Sequence, residues 1–326
     1  MLSKVFFADQ WYECQEGETV LDALLRHDVS VPFGCRSGVC HSCMMKAKRG
    51  ELPSTSQAGL KETQKQLNYF LACQCVADGE LEVQLLDTDE LYLFPATVVN
   101  KTMLNKQIVQ LTLKPSQPIP YHAGQFVNLY HNDKTARTYS IASVAELSDN
   151  IELHIKRWPN GIVSEWVHDE LAEGTQVMLS EAMGQCFYTA NDPQQNLLLI
   201  GTGSGLAPLY GIIKDALNQQ HQGEIWLYHG SSQPNGLYLI DALTELSKQH
   251  NNFYYHPCVS QDDVDSETGF SQGRANEIAL AQHYDLKAWR VFLCGQPEMV
   301  ATTKKAAFLA GASLTDIFAD PFEYST

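Results

Sequence analysis

Cys35-Arg-Ser-Gly-Val-Cys40-His-Ser-Cys43, followed after twenty-nine intervening residues by Cys73, is the stretch that decides the reading of this 326-residue chain. Three cysteines share one short loop, and the fourth arrives from a distant element. Soft thiolates in such numbers select zinc or an iron–sulfur cluster. Structural zinc usually takes two closely spaced cysteine pairs, which this is not. A two-iron cluster needs four thiolates, and a single loop can supply three of them while wrapping the inorganic core. Gly34 and Gly38 suit a loop that bends sharply and turns backbone N–H groups toward the sulfurs. A [2Fe–2S] cluster on Cys35, Cys40, Cys43 and one remote cysteine is therefore expected. Cys75 competes with Cys73, because alternation along Tyr69-Phe-Leu-Ala-Cys-Gln-Cys75 puts both on one face. Cys14, Cys186 and Cys258 have no partner spacing and read as core thiols.

Outward from the loop, Lys4 to Asp9 and Trp11 to Gln15 read as a hairpin, and Thr19 is placed to cap a helix from Val20 to Arg26. Met44 to Lys48 and Leu81 to Leu85 read as strands. These elements fit a β-grasp module. The cysteine spacing resembles that of plant-type ferredoxins, and the resemblance implies that Cys73, in its Leu-x-Cys setting, is the fourth ligand.

Leu86 to Leu93, with Asp87, Asp89 and Glu90, reads as an acidic linker. Ala96 to Val99, Ile108 to Leu113, Gln125 to Tyr130 and Ile151 to Lys156 are then short β-rich runs suited to a small antiparallel barrel. Within this stretch stand Arg137-Thr-Tyr139-Ser140 and Gly161-Ile-Val-Ser164, the latter opening an apolar helix. In that order the two motifs resemble the flavin barrel of the ferredoxin-NADP reductase superfamily. The resemblance implies FAD, with Arg137, Gly161 and Ser164 on its pyrophosphate, Tyr139 against the flavin ring and Ser140 near flavin N5. A guanidinium and a helix N-terminus are both apt partners for phosphate. Lys156 and Arg157 read as a solvated barrel edge. Glu181-Ala-Met-Gly184 departs from the Gly-Pro-x-Gly of the superfamily.

Leu197 to Ile200 leads into Gly201-Thr-Gly203-Ser-Gly205-Leu-Ala-Pro208 and then a helix from Leu209 to Leu217. A strand, a glycine-rich turn and a helix start make a pyrophosphate cradle. Strands Glu224 to Tyr228, Phe253 to Cys258 and Val291 to Cys294 alternate with helices around Tyr238 to Lys248, Ala275 to Ala281 and Pro297 to Leu309, the signature of a parallel sheet. Cys294-Gly295-Gln-Pro297 at a strand end resembles the superfamily's Cys-Gly-x-Pro beside the nicotinamide, which implies a role for Cys294 in hydride transfer. The tail Phe318-Ala-Asp-Pro-Phe322-Glu-Tyr324 is similar to the aromatic tail that packs near the flavin in relatives, with Phe322 as the candidate. The expected fold is α+β and α/β in three domains: β-grasp ferredoxin (1–90), antiparallel FAD barrel (95–190) and parallel-sheet nicotinamide domain (195–326). Ser231, Ser232 and Gln233 after the second strand supply no cation for a 2′-phosphate, so NADH is expected over NADPH, with Arg274 keeping NADPH open.

The formal charge of −16 argues against nucleic acid as a partner. No segment approaches the ~20 apolar residues of a membrane span, and the N-terminus lacks the pattern of a signal peptide, so a monomer in the cytoplasm is expected. No His and carboxylate set for oxygen activation is apparent. The order of domains resembles the reductase components of bacterial multicomponent oxygenases. That resemblance implies electron transfer from NAD(P)H through FAD and the cluster to an oxygenase component or a small electron-transfer protein. Two other readings compete: a reductase for another iron-dependent enzyme, such as a sugar-deoxygenation dehydratase, and a redox sensor with little turnover.

Overall fold

The computed structural model describes residues 3–60, 64–65, 67–86, 93–132, 135–261 and 269–322. Asp87, Asp89 and Glu90 of the expected linker, and Tyr324 of the tail, lie outside them. Three sheets follow one another along the chain.

The first holds β1 (Lys4–Phe7), β2 (Gln10–Glu13), β3 (Met44–Arg49), β4 (Tyr69–Leu71) and β5 (Glu80–Leu85), in the order β2-β1-β5-β3-β4. Ala8 and Asp9 both adopt positive φ, the two-residue turn whose twist matches a hairpin, and so both strands are shorter than the sequence suggests. Helix α1 (Val20–Arg26) begins where expected, because the Thr19 hydroxyl accepts the Asp22 backbone N–H at 3.1 Å. It buries Val20, Leu21, Ala23 and Leu24 against the sheet. One expectation fails: the strand through Tyr69 stops at Leu71, and a 3-10 turn over Ala72–Gln74 ends the alternation that put Cys73 and Cys75 on one face.

The second sheet holds β6 (Phe94–Met103), β7 (Ile108–Pro115), β8 (Phe126–Asn132), β9 (Thr135–Ser140), β10 (Ile151–Lys156) and β11 (Gln176–Leu179), in the order β10-β7-β6-β11-β8-β9. A bridge between Ile141 and Leu153 joins its two ends, so the sheet closes into a barrel. Leu111, Leu113, Val127, Leu129, Leu153 and Ile155 fill its interior. Helix α2 (Ile162–Asp169) covers one mouth, with Gly161 at its N-cap.

The third sheet is wholly parallel: β12 (Leu197–Thr202), β13 (Ile225–Ser231), β14 (Phe253–Val259), β15 (Ser271–Gln272), β16 (Arg290–Gly295) and β17 (Ile317–Pro321), ordered β15-β14-β13-β12-β16-β17. The continuous apolar runs of β12 and β16 are what burial on both faces demands. Helices α3 (Leu206–Asn218), α4 (Ile240–Gln249), α5 (Ala275–Gln282) and α6 (Pro297–Leu309) flank the sheet. The structure corrects three boundaries. Helix α3 starts at Leu206, directly after a 3-10 turn over Gly203–Gly205, and β13 runs on through His229 to Ser231. Ile317–Pro321, which opens the tail, is a strand that pairs in parallel with β16 so that Asp320 stands beside Cys294.

The extension of β13 buries His229 completely, with Nδ1 3.2 Å from the Tyr255 hydroxyl. Burial pushes this imidazole down to about 3. Since its ordinary value is near 6.5, the unfolded chain takes up a proton that the folded chain refuses, and stability falls as pH drops from about 6.5 toward 3. At roughly 1.4 kcal/mol per unit the loss reaches up to about 4–5 kcal/mol. Thermal unfolding followed from pH 7 to pH 4 should therefore decline less steeply in His229→Phe than in the wild type. Parallel profiles would refute the assignment.

Candidate functional site

The three thiols of the cluster loop, residues 34–43, and that of Cys73 in the 3-10 turn form two pairs. Cys35 lies beside Cys40, whose Sγ accepts the Cys35 backbone N–H at 3.2 Å, and the thiols of Cys43 and Cys73 are hydrogen-bonded to each other. Three further backbone N–H groups, of Ser37, Val39 and Cys40, point at the Cys35 sulfur from 3.3–3.4 Å. The Cys40 thiol above all, with the Ser37 hydroxyl and the Ser37 and Cys40 N–H groups, holds Cys35 down to about 4. Among the described residues no three Cys, His, Asp or Glu side chains gather as they would around a single metal ion. Two cysteine pairs are the arrangement of a two-iron cluster, in which each iron takes two thiolates, and N–H groups aimed at sulfur stabilise its negative charge. Cys75 stands apart. Its thiol packs toward Ser56, and burial pushes it up to about 12.

An open cavity lies where the cluster loop, the barrel and the parallel sheet meet. Arg137, Tyr139, Ser140, Gly161, Ser164 and Phe322, all singled out from the sequence, line it. So do Gly34 and Cys35 of the cluster loop. The Arg137 guanidinium is braced by the Phe33 ring at 4.7 Å and by the Ala136 carbonyl at 2.8 Å. Ser164 accepts the Trp158 N–H at 3.1 Å, which fixes the entry into α2. A wall offering a guanidinium, a helix N-terminus and the Tyr139 ring fits a dinucleotide carrying a flavin.

Two charged lining residues were missed. Lys156 is not a solvated edge: it is half-buried and borders both this cavity and the next, while Arg157 turns away to pair with Asp169 at 2.9 Å. Asp320 accepts the Ser140 hydroxyl at 3.4 Å, and burial, with the nearby Cys35 charge, pushes its carboxyl up to about 7. The available signal was an acid inside an apolar terminal strand.

A second, larger cavity opens at the carboxyl ends of the parallel strands, where ligands bind in such sheets. Thr202, Gly203, Ser231, Ser232, Arg274 and Gln296 are among its lining residues. Gly201, Gly205 and Gly295 form the crossing beneath it instead, where a Cβ on Gly201 would come within 2.7 Å of Leu209 and one on Gly295 within 2.6 Å of the Thr202 carbonyl. Pro208 is buried in the first turn of α3. Cys294 is fully buried, its Sγ 3.7 Å from that of Cys186, and burial raises its thiol. Cys186 is thus less isolated than its spacing suggested.

Comparison with known proteins agrees with this layout. Residues 8–78 match the 2Fe-2S iron-sulfur cluster binding domain family, 95–188 the oxidoreductase FAD-binding domain family and 199–305 the oxidoreductase NAD-binding domain family. The chain is 31% identical over 301 residues to the phenol hydroxylase P5 protein of Acinetobacter pittii, covering 88% of this chain and 84% of that protein. It belongs to the family of oxygenase reductase components. This reductase is also 28% identical over 311 residues to the reductase component of the naphthalene 1,2-dioxygenase system of Pseudomonas putida, covering 94% of each. Among solved structures it superimposes on a cytochrome P450 reductase from Amycolatopsis with a TM-score of 0.70 and 28% identity, covering 98% of each chain. It is an oxidoreductase with sites for a [2Fe–2S] cluster, FAD and NAD(P)H. No helix among the described residues is long and apolar enough to cross a membrane.

Proposed function

We propose that this reductase oxidises NADH and delivers the electrons singly, by way of its FAD and [2Fe–2S] sites, to an oxygenase component. The observation that carries the reading is the shared wall: Cys35 of the cluster loop and Tyr139 and Ser140 of the barrel line one cavity. When bound, FAD supplies the conversion of a two-electron hydride into single electrons that a cluster can accept. Arg137 and the N-terminus of α2 hold the pyrophosphate, and Tyr139 sets the ring. Ser140 and Asp320 hold a hydrogen bond in the cavity wall, and Cys294 stands beside Asp320 on the neighbouring strand. Gly201, Gly203, Gly205 and Gly295 let the turn and strand ends approach the coenzyme, Pro208 starts the helix behind it, and Phe322 closes the flavin side. Cys35, Cys40, Cys43 and Cys73 are the proposed iron ligands.

The domains are taken as residues 1–90, 95–190 and 195–326. NADH is preferred because the end of β13 offers Ser231, Ser232 and Gln233 and no cation, with Arg274 arriving from across the cavity. The test is an anaerobic titration of the purified protein with NADH, followed by absorbance of flavin and cluster. Both should bleach, and NADPH should give a lower kcat/KM. A cluster that stays oxidised while the flavin bleaches would defeat the proposal.

A further inference from the structure

Asn128 sits on β8 between Val127 and Leu129, both fully buried core residues of the barrel, and is itself 2% exposed. A primary amide there costs about 1–3 kcal/mol for every arm left without a partner. Both polar atoms of the amide have partners. Nδ2 donates to the Cys40 carbonyl at 3.3 Å, and Oδ1 accepts both the Ser42 hydroxyl at 2.6 Å and the Thr138 hydroxyl at 3.0 Å. The backbone N–H of Asn128 donates to Ser180 Oγ at 2.9 Å. The orientation of the amide follows from its partners: the Cys40 carbonyl can only accept, so nitrogen must face it, leaving oxygen for the two hydroxyls.

Two of the three side-chain partners lie not in the barrel but in the cluster loop, 86 and 88 residues away in sequence. The third, Thr138, stands between Arg137 and Tyr139 on the flavin wall. The loop is laid on this strand without a spacer, since a Cβ on Gly34 would collide with the Thr138 hydroxyl and reach within 3.1 Å of Cys40 Sγ. Phe33, the residue before it, carries the Arg137 guanidinium on its ring.

We infer that Asn128 is a positioning residue for electron transfer: it clamps the loop bearing Cys40 onto the flavin wall and so fixes the separation of the cluster and flavin sites. This rests on the proposed electron path. Asn128→Leu removes the whole clamp from the barrel side, and Ser42→Ala removes the shortest bond from the loop side without altering the barrel. Both holoproteins are compared with wild type by amide hydrogen exchange and by NADH-driven reduction of ferricyanide, which can draw on the flavin, and of cytochrome c, which draws on the cluster.

Loss of one buried hydrogen bond of about 1.4 kcal/mol should make the amides of residues 34–42 exchange about tenfold faster, while β7 and β10 keep their protection. The ratio of cytochrome c to ferricyanide rates should fall in both variants. Unchanged exchange with an unchanged ratio, or ferricyanide and cytochrome c rates that fall in step in both variants, would overturn the inference. A wild-type protein that reduces ferricyanide but not cytochrome c would overturn the proposed electron path instead, and the exchange comparison would still decide whether Asn128 clamps the loop.

Discussion

Replacing Cys40 by alanine is expected to reduce NADH-driven cytochrome c reduction to background and to empty the protein of iron, while ferricyanide reduction persists. Cys40 is 1% exposed, receives the Cys35 N–H, and is proposed to share one iron with Cys35. A two-iron cluster left with three thiolates loses one of the four bonds that hold it. The flavin cavity touches Gly34 and Cys35 but not Cys40, so hydride transfer keeps its surroundings. Cys75→Ala is the matched control. Its thiol is turned toward Ser56 and its loss should leave iron content and both rates unchanged. Iron and cytochrome c reduction that survive in Cys40→Ala would show that electrons leave by another route.

The contrast between Cys73 and Cys75 marks where the sequence stops being legible. Period-two alternation is a property of strands, and the 3-10 turn at Ala72–Gln74 that breaks it depends on packing under α1 and around Ser56, which no local pattern encodes. The cluster loop and the Gly-x-Gly-x-Gly turn could be read because thiolate ligation and close backbone approach each demand particular residue types at fixed spacing. Helix α1 could be read because one hydroxyl fixes its first turn. Asp320 could not, since its importance comes from a parallel pairing of β17 with β16 that brings a residue near the end of the chain to Ser140, 180 positions earlier. Lys156 was misjudged for the same reason: it read as a solvated barrel edge, and only the folded chain shows it bordering both cavities. Asn128 carried no signal as a single polar residue within the run Gln125 to Tyr130, because its partners come from the cluster loop 86 and 88 positions away.

Gly205→Ala should raise the KM for NADH at least about tenfold and lower the thermal stability, by steric displacement alone, which core overpacking sets at about 1–3 kcal/mol. The backbone at Gly205 has φ −60 and ψ −12, ordinary helical values, so alanine fits its conformation and by helix propensity would even favour α3 by about 1 kcal/mol. What alanine lacks is room. Its Cβ would overlap the Cys294 carbonyl oxygen and lie 2.6 Å from the carbonyl carbon and 2.8 Å from the Gly295 Cα. All three are backbone atoms at the end of β16, a strand paired on both sides within the sheet, and none can rotate aside as a side chain would. Either the turn or the strand end must shift, and these are the two segments that meet beneath the nicotinamide cavity. Gly203 supplies the opposite case: its φ is +55, and the nearest atom to a Cβ there is Lys156 Nζ at 4.0 Å, so its need is conformational. Gly203→Asn, which tolerates the left-handed region, should therefore keep stability close to wild type where Gly205→Ala does not. If Gly205→Ala binds NADH and melts as the wild type does, the crossing of turn and strand is looser than the structure draws it, and the cradle must owe its affinity to the side chains around the cavity instead.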